Sequence, residues 1–482
     1  MNADPRYEPV IGLEIHVQLK TLTKMFCGCE LSFGAEPNVH TCPVCLGLPG
    51  TLPVINERAV HFGVMIGLAL GCEIAERSLF HRKNYFYPDS PKGYQISQYD
   101  VPLCRGGNLG EVRIHRVHLE EDAAKLVHVG ESGRIHGAER SVVDFNRCGT
   151  PLVEIVSEPD IRSPEAAREW LTLLRATLKA LGVSDVNMEE GSLRCDANVS
   201  VRPRGSDELG TKTELKNMNS FRFLERGVRK EIERQLALLE DGQPVIQETM
   251  HFDPATGQLT PLRSKEEAHD YRYFPEPDLV PLAVTGEMLA AAREALPELP
   301  AQRAQRFERE LGLSADRARE LAFRTELGDY FEKALASNGA GADPVALANW
   351  IPQLVERIGS DQDPAASNVT PESLAALAAM VSAKEVSRDA ARDVLSRLVA
   401  EGGDPRGIIE REGLGALSAE DDGLAELVAR AIESDPDAAA QVRSGNGKAI
   451  GPLVGYVMRE TKGRADGGEV TRLIHEQLRS AG

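Results

Sequence analysis

The sequence predicts an α+β protein, with a mixed N-terminal part followed by a helical remainder. Three observations carry that expectation. Apolar residues alternate with period two in several segments up to about residue 290. Beyond Pro297–Pro300 (PELP), alanine and leucine dominate and the alternation stops. At 482 residues, the chain is long enough for about three domains.

The strands come first. Ile11, Leu13, Ile15, Val17 and Leu19 alternate with Gly12, Glu14, His16, Gln18 and Lys20, the period of a strand with one apolar face. Leu193, Cys195, Ala197, Val199 and Val201 repeat the pattern, with Arg194, Asp196, Asn198, Ser200 and Arg202 on the other face. A third strand is expected over Thr211–Lys216, with Lys212, Glu214 and Lys216 sharing a face. Among the helices, Ser163-Pro164-Glu165 reads as an N-cap, a first-turn proline and an acidic first turn. Leu171, Leu174, Leu178 and Leu181 continue it, and Gly182 is the stop. A charged helix is expected over Ser220–Leu239. Further on, Thr370-Pro371-Glu372 opens a helix, and Ser382 with Glu385 reads as a capping box. Gly402 and Gly403 mark a second boundary, so the expected domains are 1–295, 296–403 and 404–482.

Composition removes several classes. With 42% hydrophobic and 27% charged residues, the chain is neither disordered nor collagen-like. It has no apolar run long enough for a transmembrane helix, so no membrane association is expected. Its start, MNADPRYEPVIGLEIH, lacks the basic and apolar regions of a secretory signal, so a cytoplasmic location is expected. The net charge of −19 argues against a protein that coats nucleic acid, and any such contact must use a local basic patch.

Four motifs carry chemistry. Cys27-x-Cys29 and Cys42-Pro43-Val44-Cys45 are two close pairs, able to present four thiolates to one tetrahedral Zn²⁺ or to remain free thiols. His40 is a competing ligand. The remaining cysteines, Cys72, Cys104, Cys148 and Cys195, read as small buried hydrophobes. Glu14 and His16 share a strand face, and Glu120, Glu121 and Asp122 follow the strand-like run Val112–Leu119. Together with Asp196 and Glu214 these carboxylates are either wet surface or a hard-cation site. His16 and the amide-rich LKNMNS stretch favour a site suited to Mg²⁺. The segment KNYFYPDSPKGYQISQYD, residues 83–100, packs four tyrosines and two lysines into a loop held by Pro88 and Pro91. It either packs on the core or stacks and neutralises a nucleotide. Near the end, Gly445–Lys448 with Arg459, Lys462, Arg464 and Arg472 forms the basic part of an acidic tail, either a phosphate-binding helix start or a plain helical hairpin. No P-loop, dinucleotide fingerprint, nucleophile elbow or amidase Ser-Ser-Lys arrangement is present.

The segments VIGLEIHVQLKTLTKMF, KNYFYPDSPKGYQISQYD, HLEEDAAK, VDFNRCGTPLVEIVSEPDIRSPEAAREW, MEEGSLRCDANVS, GTKTELKNMNSFRF, DYRYFPEPDL and GNGKAIGPLVGYVM together resemble the GatB family of aspartyl/glutamyl-tRNA(Asn/Gln) amidotransferases. The resemblance implies a glutamine synthetase-like cradle domain that binds ATP and Mg²⁺, then a helical domain and a YqeY-like tail that grip tRNA. It implies a ligase reaction: ATP phosphorylates the side-chain carboxylate of Glu-tRNA(Gln), Asp-tRNA(Asn) or both, and ammonia displaces the phosphate. A GatA-like amidase supplies the ammonia from glutamine, and a GatC-like protein joins the two. A buried path would keep that ammonia from protonation in bulk water. The residues implied as catalytic and Mg²⁺-binding are Glu14, His16, Glu121, Asp196 and Glu214, with Glu120 an alternative or indirect ligand. Lys83 and Lys92 would neutralise phosphate, and Asn84, Tyr85, Tyr87 and Tyr94 would shape the nucleotide or acceptor pocket. Structural Zn²⁺ would take Cys27, Cys29, Cys42 and Cys45, and tRNA would meet Lys448, Arg459, Lys462 and Arg464.

Overall fold

The computed structural model describes residues 6–130, 138–216, 218–253, 256–264, 271–337, 343–359, 362–415, 422–461 and 464–480. The chain forms two compact units, Met1–Ala301 and Gln302–Gly482. The α+β expectation holds: sheet dominates the first unit and helices fill the second.

Unit one is built on a ten-stranded sheet. Its elements are β1 Tyr7–Gln18, α1 Glu57–Ala69, β2 Glu73–Ile74, β3 Cys104–Arg105, β4 Asn108–Leu109, β5 Val112–Glu121, β6 Pro151–Ser157, α2 Pro164–Ala180, β7 Leu193–Pro203, β8 Thr213–Lys216, α3 Phe221–Glu240, β9 Glu248–Asp253 and β10 Gln258–Ser264. The strand order is β10-β9-β8-β7-β1-β6-β5-β3-β2, with β4 paired to β5, and among these described strands only the β8–β9 pair is parallel. A hairpin of His81–Asn84 and Tyr94–Ser97 carries the tyrosine-rich loop at its tip.

Alternation in β1 decides which side of the sheet is dry. Ile11, Leu13, Ile15 and Val17 are buried in one core with Val64 and Ile66 of α1, Trp170, Leu171, Leu174 and Leu178 of α2, and Leu224 and Val228 of α3. Burying each such aliphatic side chain stabilises the fold by roughly 1.5–3 kcal/mol. A one-residue slip of β1 would drive Glu14 and His16 into that core, so register is strongly fixed. Ser163 caps α2 as expected, accepting from the Ala166 N–H, and Gly182 follows its end at φ +67°.

Two details differ from the sequence expectation. The run expected to end at Leu119 continues as strand through Glu121, because Glu120 and Glu121 still pair with Leu152 and Pro151. No helix starts at Ser382: helix Pro371–Ser382 ends there, and Ser382 Oγ donates back to the Ala378 carbonyl at 3.0 Å. The next helix, Arg388–Glu401, is capped by Ser387, whose oxygen accepts from the Ala390 N–H.

Unit two has two separate cores. Phe307, Tyr330, Phe331, Trp350, Leu374 and Leu395 belong to the first, which extends to Ile408 and Ile409. Leu424, Val428, Leu453, Val457, Val470 and Ile474 belong to the second.

Candidate active site and metal centre

The polar face of the sheet carries the site. Antiparallel pairing sets His16 opposite Glu154 on one side and opposite Arg194 on the other, and Glu154 opposite His118. Directly opposed residues project to the same face. The row His118, Glu154, His16, Arg194 therefore crosses β5, β6, β1 and β7. The neighbouring pair Glu14 and Asp196 face each other across β1 and β7.

His16 is the hub. Its Nε2 lies 3.4 Å from Glu154 Oε2, 3.7 Å from Glu14 Oε1 and 3.8 Å from Glu120 Oε1. Burial disfavours its charged form, but the hydrogen bond to Glu154 and the charges of Glu120, Glu154 and Glu14 outweigh that and raise its pKa to about 9. Glu14 is pushed up, by burial first and then by repulsion from Glu154 and Asp196. Ligand atoms of Glu14, His16 and Asp196 lie within 4.8 Å of one another, and so do those of His16, Glu120 and Glu154. Hard oxygens in this number, repelling one another, fit a divalent cation of the Mg²⁺ type.

Two expected ligands are otherwise engaged. Glu121 is ion-paired to Lys92 and accepts from the Ile96 N–H at 3.0 Å. Glu214 accepts from Thr249 Oγ1 at 2.9 Å and faces Lys216 Nζ at 3.1 Å. The same ammonium lies 2.9 Å from Asp196, so Lys216 bridges the two acids. Behind β8, the buried Glu231 and Gln235 of α3 both hydrogen-bond Thr213 Oγ1, fixing that short strand to its helix.

A cleft of about 350 Å³ opens over one end of this cluster, lined by His16, Glu120, Arg194 and Asp196. Lys83, Tyr85, Lys92, Tyr94, Tyr271 and Arg194 are among its lining residues. Lys83 Nζ sits 4.8 Å from the Tyr271 ring centre. Burial works against its charge, but Glu120, Tyr273 and Tyr271 prevail and raise its pKa. Arg194 is held by Asp122 through two hydrogen bonds of 2.9 and 3.1 Å.

Beside the cleft, the sulfurs of Cys27, Cys29, Cys42 and Cys45 lie within 4.8 Å of one another. A hydrogen bond from Cys27 lowers Cys45 to about 4, while Cys27 is raised by that bond and Cys29 is pushed to about 11, mainly by burial. Four soft donors already sharing protons suit one closed tetrahedral ion. His40 is not among them, since its Nε2 lies 2.8 Å from Ser32 Oγ. Gly47, at φ +67°, packs against Lys92, and a Cβ there would collide with that side chain. The cysteine knuckle and the cleft thus share a wall.

The GatB/GatE catalytic domain matches residues 9–290, and the GatB YqeY domain matches residues 329–478. The chain belongs to the GatB family. It is 53% identical to the GatB protein of Frankia casuarinae, an aspartyl/glutamyl-tRNA(Asn/Gln) amidotransferase component, over 98% of this chain and 96% of that protein. The GatB proteins of Anaeromyxobacter sp. strain K and Moorella thermoacetica are each 49% identical, covering 98% of this chain and 99% and 100% of theirs.

Within this GatB chain, the structure gathers Glu14, His16, Glu120 and Asp196 at one place and sets Glu121 and Glu214 at its margins. Asn84 and Tyr87 are not among the cleft-lining residues. Asn84 instead donates to the carbonyls of Tyr271 and Arg272 at 3.0 and 2.9 Å, and Tyr87 stacks on Tyr85. In the tail, Lys448 and Arg459 are exposed, and Lys462 lies outside the described residues. Arg464 donates to the carbonyls of Thr461 and Gly413, and Arg472 is paired with Glu469 and Glu476. Sequence reasoning missed Glu154 and His118. The one signal for Glu154 was a single carboxylate inside the apolar run PLVEIVS.

Proposed function

We propose that this chain is the ATP-using component of a tRNA-dependent amidotransferase. It converts the side-chain carboxylate of Glu-tRNA(Gln), Asp-tRNA(Asn) or both to an acyl phosphate. Ammonia from a GatA-like glutaminase, tied in by a GatC-like protein, then displaces the phosphate. Carboxylate oxygen is a poor leaving group, so activation splits one hard step into two easier ones. The observation that supports the reading most is the group of acids around His16, of which Glu120 and Asp196 line a cleft shared with Lys83, Lys92, Arg194 and three tyrosines.

Phosphoryl transfer asks the protein mainly for positioning and charge stabilisation. A divalent ion, when bound, would supply positive charge that offsets the charge developing in phosphoryl transfer. Glu14, His16, Glu120, Glu154 and Asp196 are the residues to hold it. Lys83 stays charged in a partly buried position suited to a phosphate oxygen. Arg194, fixed by Asp122, presents a guanidinium that needs no reorientation on binding. Tyr85, Tyr94 and Tyr271 offer ring faces and hydroxyls to a ribose, a base or the aminoacyl end. The four cysteines hold structural Zn²⁺, and Lys448 and Arg459 carry phosphate contacts with tRNA. The chain acts in the cytoplasm. Among the described residues no helix is long and apolar enough to cross a membrane.

The test is reconstitution of the full chain with GatA-like and GatC-like proteins, misacylated tRNA, glutamine, ATP and Mg²⁺. Amidated aminoacyl-tRNA is the expected product, and its absence in every partner combination overturns the reading. Amidation of free glutamate by ammonia without tRNA would replace it with a stand-alone synthetase.

A further inference from the structure

We propose that Arg116 and His118 are positioning residues that decide which oxygen of Glu120 and which oxygen of Glu154 face His16. The inference rests on the reading that these carboxylates, with His16, hold a divalent cation.

Each carboxylate has one oxygen tied back and one presented. Glu120 Oε2 accepts from Ser97 Oγ at 3.0 Å and lies 3.5 Å from His118 Nε2, while Oε1 is turned toward His16 at 3.8 Å. Glu154 Oε1 accepts from Arg116 Nη2 at 2.9 Å, while Oε2 is turned toward His16 at 3.4 Å. His118 joins the two arrangements. Arg116 Nε donates to His118 Nδ1 at 3.3 Å, so Nδ1 is the accepting nitrogen and the ring proton sits on Nε2, aimed at Glu120. One arginine therefore anchors Glu154 directly and Glu120 through the tautomer of His118. The side chains of His118 and Glu120 are both 3% exposed, so water does not compete for these bonds. An anchored carboxylate meets a cation without first losing rotational freedom. Partners of this kind, one step behind the ligands, typically contribute about 10- to 100-fold in metal affinity.

The probe is Mn²⁺, titrated into the Mg²⁺-free full chain and read by electron paramagnetic resonance, with imidazole ¹⁵N spectra reporting the ring tautomer. The expected results are a ring protonated on Nε2 and about 10- to 100-fold weaker Mn²⁺ binding in His118→Leu. His118→Gln, whose amide N–H can replace Nε2–H, should restore most of the affinity, which bulk packing alone would not require. If His118→Leu does not fold, Arg116→Met, which keeps the ring, should weaken Mn²⁺ and spread the proton onto Nδ1. Wild-type affinity in His118→Leu or Arg116→Met, equal weakness of Gln and Leu, or a native ring protonated on Nδ1 overturns the inference while wild-type Mn²⁺ binding stays intact. Failure of the wild-type chain to bind Mn²⁺ overturns the cation reading and this inference with it.

Discussion

Glu154 Oε2 lies 3.4 Å from His16 Nε2, directly across the β1–β6 ladder. The carboxylate sits on one side of the imidazole's strand and Arg194 on the other, so the ring is flanked by opposite charges fixed by register. In the cation-free chain the proton on His16 neutralises part of the acid cluster.

That proton gives a pH dependence with a definite sign. The folded pKa of His16 is raised from 6.5 to about 9, so the folded chain holds the proton more tightly than the unfolded one. Its stabilising contribution is complete below about pH 6.5 and is lost as pH rises through about 9, with a limiting slope of about 1.4 kcal/mol per pH unit. Denaturant titrations of the cation-free chain should show this fall, and His16→Gln should remove it. Because an imidazolium cannot ligate, Mg²⁺ binding near neutral pH should release close to one proton into weak buffer. Binding without proton release would mean that His16 stays charged and outside the coordination sphere.

The cysteine knuckle should behave as a structural ion site. Metal analysis of the purified chain is expected to give one Zn²⁺, and Cys42→Ser should lose it together with a drop in melting temperature. Stoichiometric zinc retained in Cys42→Ser would remove that ligand from the assignment.

Lys24 ties the knuckle to the sheet unit and is fully buried. Its ammonium donates to the carbonyls of His40 at 2.7 Å and Phe145 at 3.2 Å, and lies 3.7 Å from Cys45 Sγ. Lys24→Met keeps the volume but strands both carbonyls and removes the cation beside the sulfurs. Unfolding free energy should fall by about 3 kcal/mol, measured by urea titration of the zinc-loaded chain. A loss below the error of that titration would show that water reaches these carbonyls.

Among the described residues the two helical cores divide between Ile409 and Leu424, with the hydrogen bond from Arg464 to the Gly413 carbonyl spanning the division. Ile408 and Ile409 belong to the core that includes Trp350 and Leu374, whereas Leu424 begins the next one. A chain ending at Gly415 should keep its nucleotide binding and lose little stability but bind tRNA more weakly, while one ending at Gly403, which also loses Ile408 and Ile409, should be strongly destabilised. Lys448→Ala and Arg459→Ala should each reduce the salt dependence of tRNA binding by about one ion-release unit. Arg464→Ala should instead lower stability, since its guanidinium is spent on two carbonyls. Filter binding across a salt series distinguishes these outcomes.

Much of this is legible in the sequence. Alternation in β1 puts Glu14 and His16 on one face, and cysteine spacing assembles the knuckle, because both follow from local geometry. Glu154 is not legible, since β6 is almost wholly buried and shows no alternation to mark its polar position. Asp196 and Glu214 are each legible as an acid on the polar face of a strand, but not the ammonium of Lys216 that joins them. Nor can local pattern reveal that Glu121 is claimed by Lys92, because the two meet only when the hairpin docks on β5. Cross-strand partners depend on pairing order, which spacing along one segment does not encode.

The row of His118, Glu154, His16 and Arg194 draws one side chain from each of four strands that emerge from the ribosome far apart in time. β1 is made first, yet its neighbour β7 is among the later strands, so the middle of the sheet must wait for a distant segment to arrive. β1, β5 and β6 all precede β7, so His16, Glu120 and Glu154 can gather first, and Asp196 and Arg194 complete the cluster only when β7 pairs with β1.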